Sequence, residues 1–319
     1  MDQPYLTMGS PKLPTIADAG YELRAALDKI VTKYPPRSHY TQDALHGLWS
    51  GPTGIAYLLL RVSVHHPNLS IYDHPAIYWA REYLARGSRG HTLRLGPHGC
   101  GIADEKLAYE AVTCAVTGDL ADVRQFVSSV AQIMPVEDYP DEMLYGRAGT
   151  LYLLRLVRHW VTGSNRLVEP AIYEISNTIL NRGPPWKWHD RRYLGAAHGE
   201  IGIITQLVLT TPSLAPRLQP ALRQLLNMQQ DDGNWPSSEE SGAGGRLVQF
   251  CHGAPGFVFS LIALRPHFPD LRNRFDDAIE RARECTEDRG LLKKEPSLCH
   301  GIFGNALYVV PEKTKPRRH

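Results

Sequence analysis

The chain has 319 residues, 43% of them hydrophobic, enough to bury a large core as one big domain or two smaller ones. Its 35 Lys and Arg nearly balance 33 Asp and Glu, so no global field draws it to nucleic acid or to an anionic membrane surface. The opening MDQPYLTMGSPKLP is no signal peptide and no later stretch approaches a membrane span, which predicts a cytoplasmic protein without integral membrane association.

Residues 1–40 are expected to form an N-terminal extension and the first outer helix, and residues 41–310 the main domain. A basic disordered tail, PEKTKPRRH, is expected at 311–319. From Gly51 onward the chain repeats itself. A Gly-x-x-Gly turn followed by apolar residues occurs at Gly51 (SGPTGIAYLLL), Gly146 (YGRAGTLYLLRLV), Gly199 (HGEIGIITQLVL), Gly253 (HGAPGFVFSLIAL) and Gly301 (HGIFGNALYVV), with a degenerate copy at Gly99 (HGCGIADEKLAYEAV). Successive turns lie 47 to 54 residues apart, which marks a repeat architecture.

Between the turns lie segments of helical period: HPAIYWAREYLARG, LADVRQFVSSVAQIM, LVEPAIYEISNTILNRG and LQPALRQLLNMQQDDG. Each repeat thus reads as an amphipathic outer helix and a more uniformly apolar inner helix. Such pairs predict an all-α fold, an α/α toroid whose inner helices line a central cavity and whose glycine turns gather at one mouth. An open helical solenoid is the other arrangement with this pattern. Six turns are present and a seventh would fall near residue 350, so the double barrel is expected to be incomplete at its C-terminal seam. Pro311 limits the last inner helix, beginning NALYVV, to two turns.

The last turns carry the chemistry. QFCHGAPGF at 249–257 and SLCHGIFGN at 297–305 each place a Cys-His pair directly before the glycine turn. Cys251, Cys299 and His300 form a two-thiolate, one-imidazole set of the kind that binds zinc and leaves a fourth position open. Both phrases precede helix N-termini, where the dipole favours thiolate. A third phrase, GAAHGEIGI, puts His198 in the same register with Ala197 in place of Cys, so His198 reads as an acid or base beside the metal. His252 is expected to point away from the ion. Five cysteines in a chain of this size argue for reduced thiols, and Cys100, Cys114 and Cys285 have no matching partners.

Together YGRAG, GAAHGEIGI, FCHGAPGF and LCHGIFGN resemble the lanthionine synthetase C-like (LanC-like) family over residues 40–308, and DDGNWPSS at 231–238 is similar to a loop of that family. The resemblance implies a seven-fold α/α toroid over 41–310, with zinc on Cys251, Cys299 and His300 and an acid or base at His198. It also implies an acidic site residue at Asp141 and a glutathione-binding base at Lys294. Arg246 is added by its nearness to Cys251. The implied reaction for eukaryotic members is addition of the glutathione thiol to a dehydroamino-acid-containing peptide or protein. A zinc-stabilised scaffold that holds glutathione or a protein without turnover is the non-catalytic alternative. A prenyltransferase- or terpene-cyclase-like toroid is the other, suggested by QQDDGNWP; it would need an Asp among the zinc ligands or an acidic cluster in the cavity.

Overall fold

The computed structural model describes residues 3–6, 18–85, 93–96, 99–241 and 246–307; the expected tail at 311–319 and the end of the NALYVV segment lie outside them. Among the described residues the chain is all-α but for one hairpin of two-residue strands, β1 (Ser70–Ile71) and β2 (His74–Pro75). It divides into two compact units, one of Lys12–Pro140 and Leu144–Thr178, the other of Met1–Pro11, Asp141–Met143 and Ile179–His319.

The first unit holds α1 (Ala19–Lys33), α2 (Pro52–His65), α3 (Ala76–Tyr83), α4 (Glu105–Thr117), α5 (Leu120–Ala131), α6 (Arg147–Trp160) and the start of α7 (Asn165–Arg182). α4 packs against α2, α5 and α6, and α2 against α3. The glycine turns at Gly51 and Gly146 are the N-caps of α2 and α6, as the spacing predicts. The degenerate turn at Gly99 behaves differently. There the helix waits until Glu105, and Asp104 caps it by accepting from Leu107 N–H at 2.9 Å. The reason is local: Cys100 N–H bonds to the Tyr145 carbonyl at 2.7 Å and Ala103 N–H to the Leu144 carbonyl at 2.9 Å, so 100–103 form a paired loop rather than a first turn.

The second unit holds α8 (Glu200–Thr210), α9 (Ala215–Asn227), α10 (Ala254–Leu264), α11 (Arg272–Arg289) and α12 (Ile302–Ala306). The apolar helices α8 and α10 pack on each other and are buried along nearly their whole length. The amphipathic α9 and α11 cover them: α11 buries Phe275, Ala278, Ile279, Ala282 and Cys285 at helical spacing while its charged residues face outward.

The start of α10 is built by a distant loop. Its N-cap, Gly253, has φ +113°, which L side chains avoid, and supplies no capping oxygen. Asn234 supplies it instead, accepting from Ala254 N–H at 2.7 Å while its Nδ2 donates to the Leu247 carbonyl at 3.1 Å. Next to it the fully buried Trp235 stacks on Phe257, rings 4.0 Å apart, and donates from Nε1 to the Leu225 carbonyl at 2.8 Å. The DDGNWPSS loop is thus the brace behind the Cys251 turn.

Candidate metal and thiol site

All the side chains of this site belong to the second unit. Cys251 and Cys299 each stand two residues before the N-cap glycine of an inner helix, α10 and α12. Cys251 N–H donates to the Cys299 carbonyl at 3.1 Å, which joins the two turns through the backbone. From α12, Asn305 Nδ2 donates to the carbonyls of Val248 and Gly290 at 2.8 and 2.9 Å. Ser297 Oγ accepts from Cys299 N–H at 3.1 Å and so shapes the second turn.

The result is a convergence. One ligand atom from each of Cys251, Cys299 and His300 lies within 4.8 Å of the other two, and among the described residues this is the one such group of His, Cys, Asp or Glu side chains. Both cysteines are buried. Glu295 Oε1 sits 2.8 Å from His300 Nε2.

The two sulfurs do not behave alike. The Cys251 thiol is drawn down to about 7, first because the Cys299 thiol donates to it; burial opposes this, and the Gln249 amide and the charges of His300 and His198 assist. Cys299 is pushed up by that same bond and by burial. The shared hydrogen bond thus moves the two thiols in opposite directions, and they titrate as a pair rather than singly. Besides the helix dipoles, the hydrogen bond between the two sulfurs therefore sets them apart, and α12, with five residues, adds little dipole at Cys299.

His198 lies in the turn before α8, in register with His252 and His300, with Ala197 at the cysteine position. Its Nδ1 is 2.8 Å from Glu142 Oε2, and that carboxylate is 1% exposed. Trp188 stacks on the imidazole, ring centres 4.2 Å apart and planes 7° from parallel. Trp188 arrives on a tight turn whose central residues, His189 and Asp190, both have positive φ. His252 is not in the ligand cluster. Its ring lies 5.9 Å from that of His198 and 5.6 Å from Tyr193, and burial, then the charges of His198 and Lys294, push it down to about 4.

Of the other residues singled out in the sequence, Lys294 enters the cluster through Gln249, Nζ to Oε1 at 3.2 Å. Asp141 is buried but takes Arg182 Nε at 2.8 Å, and the neighbouring Glu142 is the acid that meets His198. Arg246 is exposed at the entry to the Cys251 turn. Sequence reasoning missed Glu142, Trp188, Gln249 and Glu295. A signal existed for Glu142 alone, in the paired acids just before the YGRAG turn.

The lanthionine synthetase C-like family model matches residues 46–310. A curated zebrafish (Danio rerio) protein named Glutathione S-transferase LANCL1 is 29% identical over 297 residues, 84% of this chain and 71% of that one. Among solved structures, nisin cyclase superposes with a TM-score of 0.60 at 15% identity, covering 90% of this chain and 81% of its own, so the two share a fold. With its glycine turns, its Cys-His phrases and a family match over most of its length, the chain belongs to the lanthionine synthetase C-like family.

Proposed function

We propose that the chain is a zinc-dependent enzyme that adds the thiol of glutathione to dehydroalanine or dehydrobutyrine residues of peptides or proteins. The observation that carries this reading is the convergence of Cys251, Cys299 and His300 beside the His198–Glu142 pair in a LanC-like chain. The name of the zebrafish relative supports glutathione as the thiol, and a reducing cytoplasm suits both it and the free cysteines. Among the described residues no helix is long and apolar enough to cross a membrane.

The donor set fits zinc. Two converging sulfurs with one imidazole make a borderline-soft set, and a carboxylate on His300 Nε2 leaves Nδ1 for the ion. A prenyltransferase would need an Asp here, and the group holds none. When bound, zinc at such a three-ligand site accepts a thiol in its open position and keeps it as thiolate at neutral pH.

The chain's own residues supply the rest. As sulfur bonds to the β-carbon, the alkene pair moves toward the α-carbon and carbonyl, and a proton must reach the α-carbon. His198 delivers it from Nε2, because Glu142 holds Nδ1 and Trp188 holds the ring plane. The thiol's own proton returns to solvent, so the net change is addition of S–H across C=C. Lys294 pairs with a glutathione carboxylate, with Arg246 as a second cation at the rim. Asp141, tied to Arg182, steadies the segment that carries Glu142.

The test is zinc-loaded protein with glutathione and a dehydroalanine peptide, followed by mass spectrometry. A glutathione adduct forming faster than without protein is expected. Cys251→Ala should lose both zinc and activity. His198→Ala should keep zinc and lose about 10²–10⁴ in rate. A zinc-loaded wild type that leaves the peptide unmodified overturns the enzyme reading, and tight glutathione binding without turnover would favour the scaffold.

A further inference from the structure

Gln249 is not required by any metal-ligand pattern, yet it is buried and tied at three points. Its backbone N–H donates to the His252 carbonyl at 3.2 Å, its Nε2 to Cys251 Sγ at 3.1 Å, and its Oε1 accepts from Lys294 Nζ at 3.2 Å. The two side-chain bonds fix the amide's direction. An ammonium has donors only, so it must meet the amide oxygen, and the N–H is left for the sulfur. A flipped amide would set donor against donor and oxygen against sulfur.

We propose that Gln249 is a positioning residue that couples carboxylate capture at Lys294 to the electron density of the Cys251 sulfur. Lys294 is exposed, so its remaining N–H donors are open to a carboxylate from solvent. Its pull on Oε1 polarises the amide and strengthens the N–H bond to sulfur, because hydrogen bonds in series reinforce one another, most of all away from water. That bond withdraws electron density from the sulfur, a lever by which outer groups tune a metal thiolate. A carboxylate that engages Lys294 competes for the ammonium, relaxes the amide and leaves the sulfur more electron-rich. The end of the substrate far from its thiol thereby reports its arrival at the metal ligand.

This inference rests on the metal and glutathione reading above. Its probe is the cobalt(II)-substituted protein, whose sulfur-to-cobalt charge-transfer band in the near ultraviolet moves to lower energy as sulfur density rises. S-methylglutathione carries the carboxylates of glutathione without a free thiol. Adding it to the wild type should shift the band to lower energy. Gln249→Leu should start at the lower energy and not respond, and Lys294→Met, an exposed change that spares the fold, should do the same. Lys294→Arg, which keeps the charge and a donor, should restore the response. A purely structural role for Gln249 would move none of these spectra. Cobalt uptake with a Gln249→Leu spectrum and response equal to wild type overturns this inference alone. Failure of the wild type to bind cobalt overturns the proposed function and this inference together.

Discussion

At the scale of single residues, the site turns on which of two adjacent acids faces the imidazole. Asp141 and Glu142 leave the chain on different sides: one meets Arg182, the other His198, both at 2.8 Å. A charged hydrogen bond of this kind contributes about 1.5–3 kcal/mol. Glu142→Gln should therefore lower kcat for thiol addition by about 10- to 100-fold, with the KM for glutathione unchanged and zinc content intact. Steady-state kinetics with metal analysis checks this, and Asp141→Asn should cost less, because the acid 2.8 Å from the imidazole Nδ1 is Glu142. The convergence of Cys251, Cys299 and His300 was legible in the sequence, since a repeated phrase marks equivalent positions of equivalent turns. Glu142 was marked only by the paired acids before the YGRAG turn, and Gln249 and Trp188 by nothing. Trp188 reaches the site from a loop outside the repeat register and Gln249 from within the repeated phrase itself, and no periodicity records which way a turn or loop side chain points.

At the scale of elements, the glycine turns explain most of what the sequence revealed. Uniformly apolar runs after Gly199 and Gly253 could only be buried helices, and α8 and α10 are that. The second glycine of the turn is fixed by close packing: a Cβ on Gly256 would collide with the Phe250 carbonyl and come within 2.9 Å of Ala196 Cβ. The Gly99 copy misled because an aspartate three residues before Leu107 is a stronger helix start than a degenerate glycine pair. The cap of α10 was equally hidden, because it comes from Asn234, 20 residues upstream of the Ala254 N–H it receives. Asn234→Ala removes the acceptor for Ala254 N–H and the donor to Leu247 O. It should destabilise the protein by about 1–2 kcal/mol, read as a lower urea midpoint with unchanged slope, and should weaken zinc retention because Cys251 sits just before that cap.

At the scale of the whole molecule, spacing near fifty residues was enough to establish an all-α repeat protein, and family membership follows from 46–310. The division into two units was not legible, because the helical pattern runs through α7, where they meet in sequence, without a break. Every proposed ligand lies in one of them, in turns 48 residues apart in sequence. Zinc bound there at a hundredfold excess over its Kd adds about 2.7 kcal/mol to stability. Chelation should therefore lower hydrogen-exchange protection in 249–264 and 297–306 while leaving α2 to α5 unchanged, and mass spectrometry of peptic fragments reads the difference.

The stack of Trp188 on His198 also has an optical side. An excited indole passes an electron readily to an imidazolium and poorly to a neutral imidazole. With centres 4.2 Å apart and planes 7° from parallel, Trp188 should glow dimly while the histidine is protonated and brighten once that proton has left. The chain has six tryptophans, and subtracting the emission of Trp188→Phe isolates this one, so the fold carries its own fluorophore on the group proposed to move the proton.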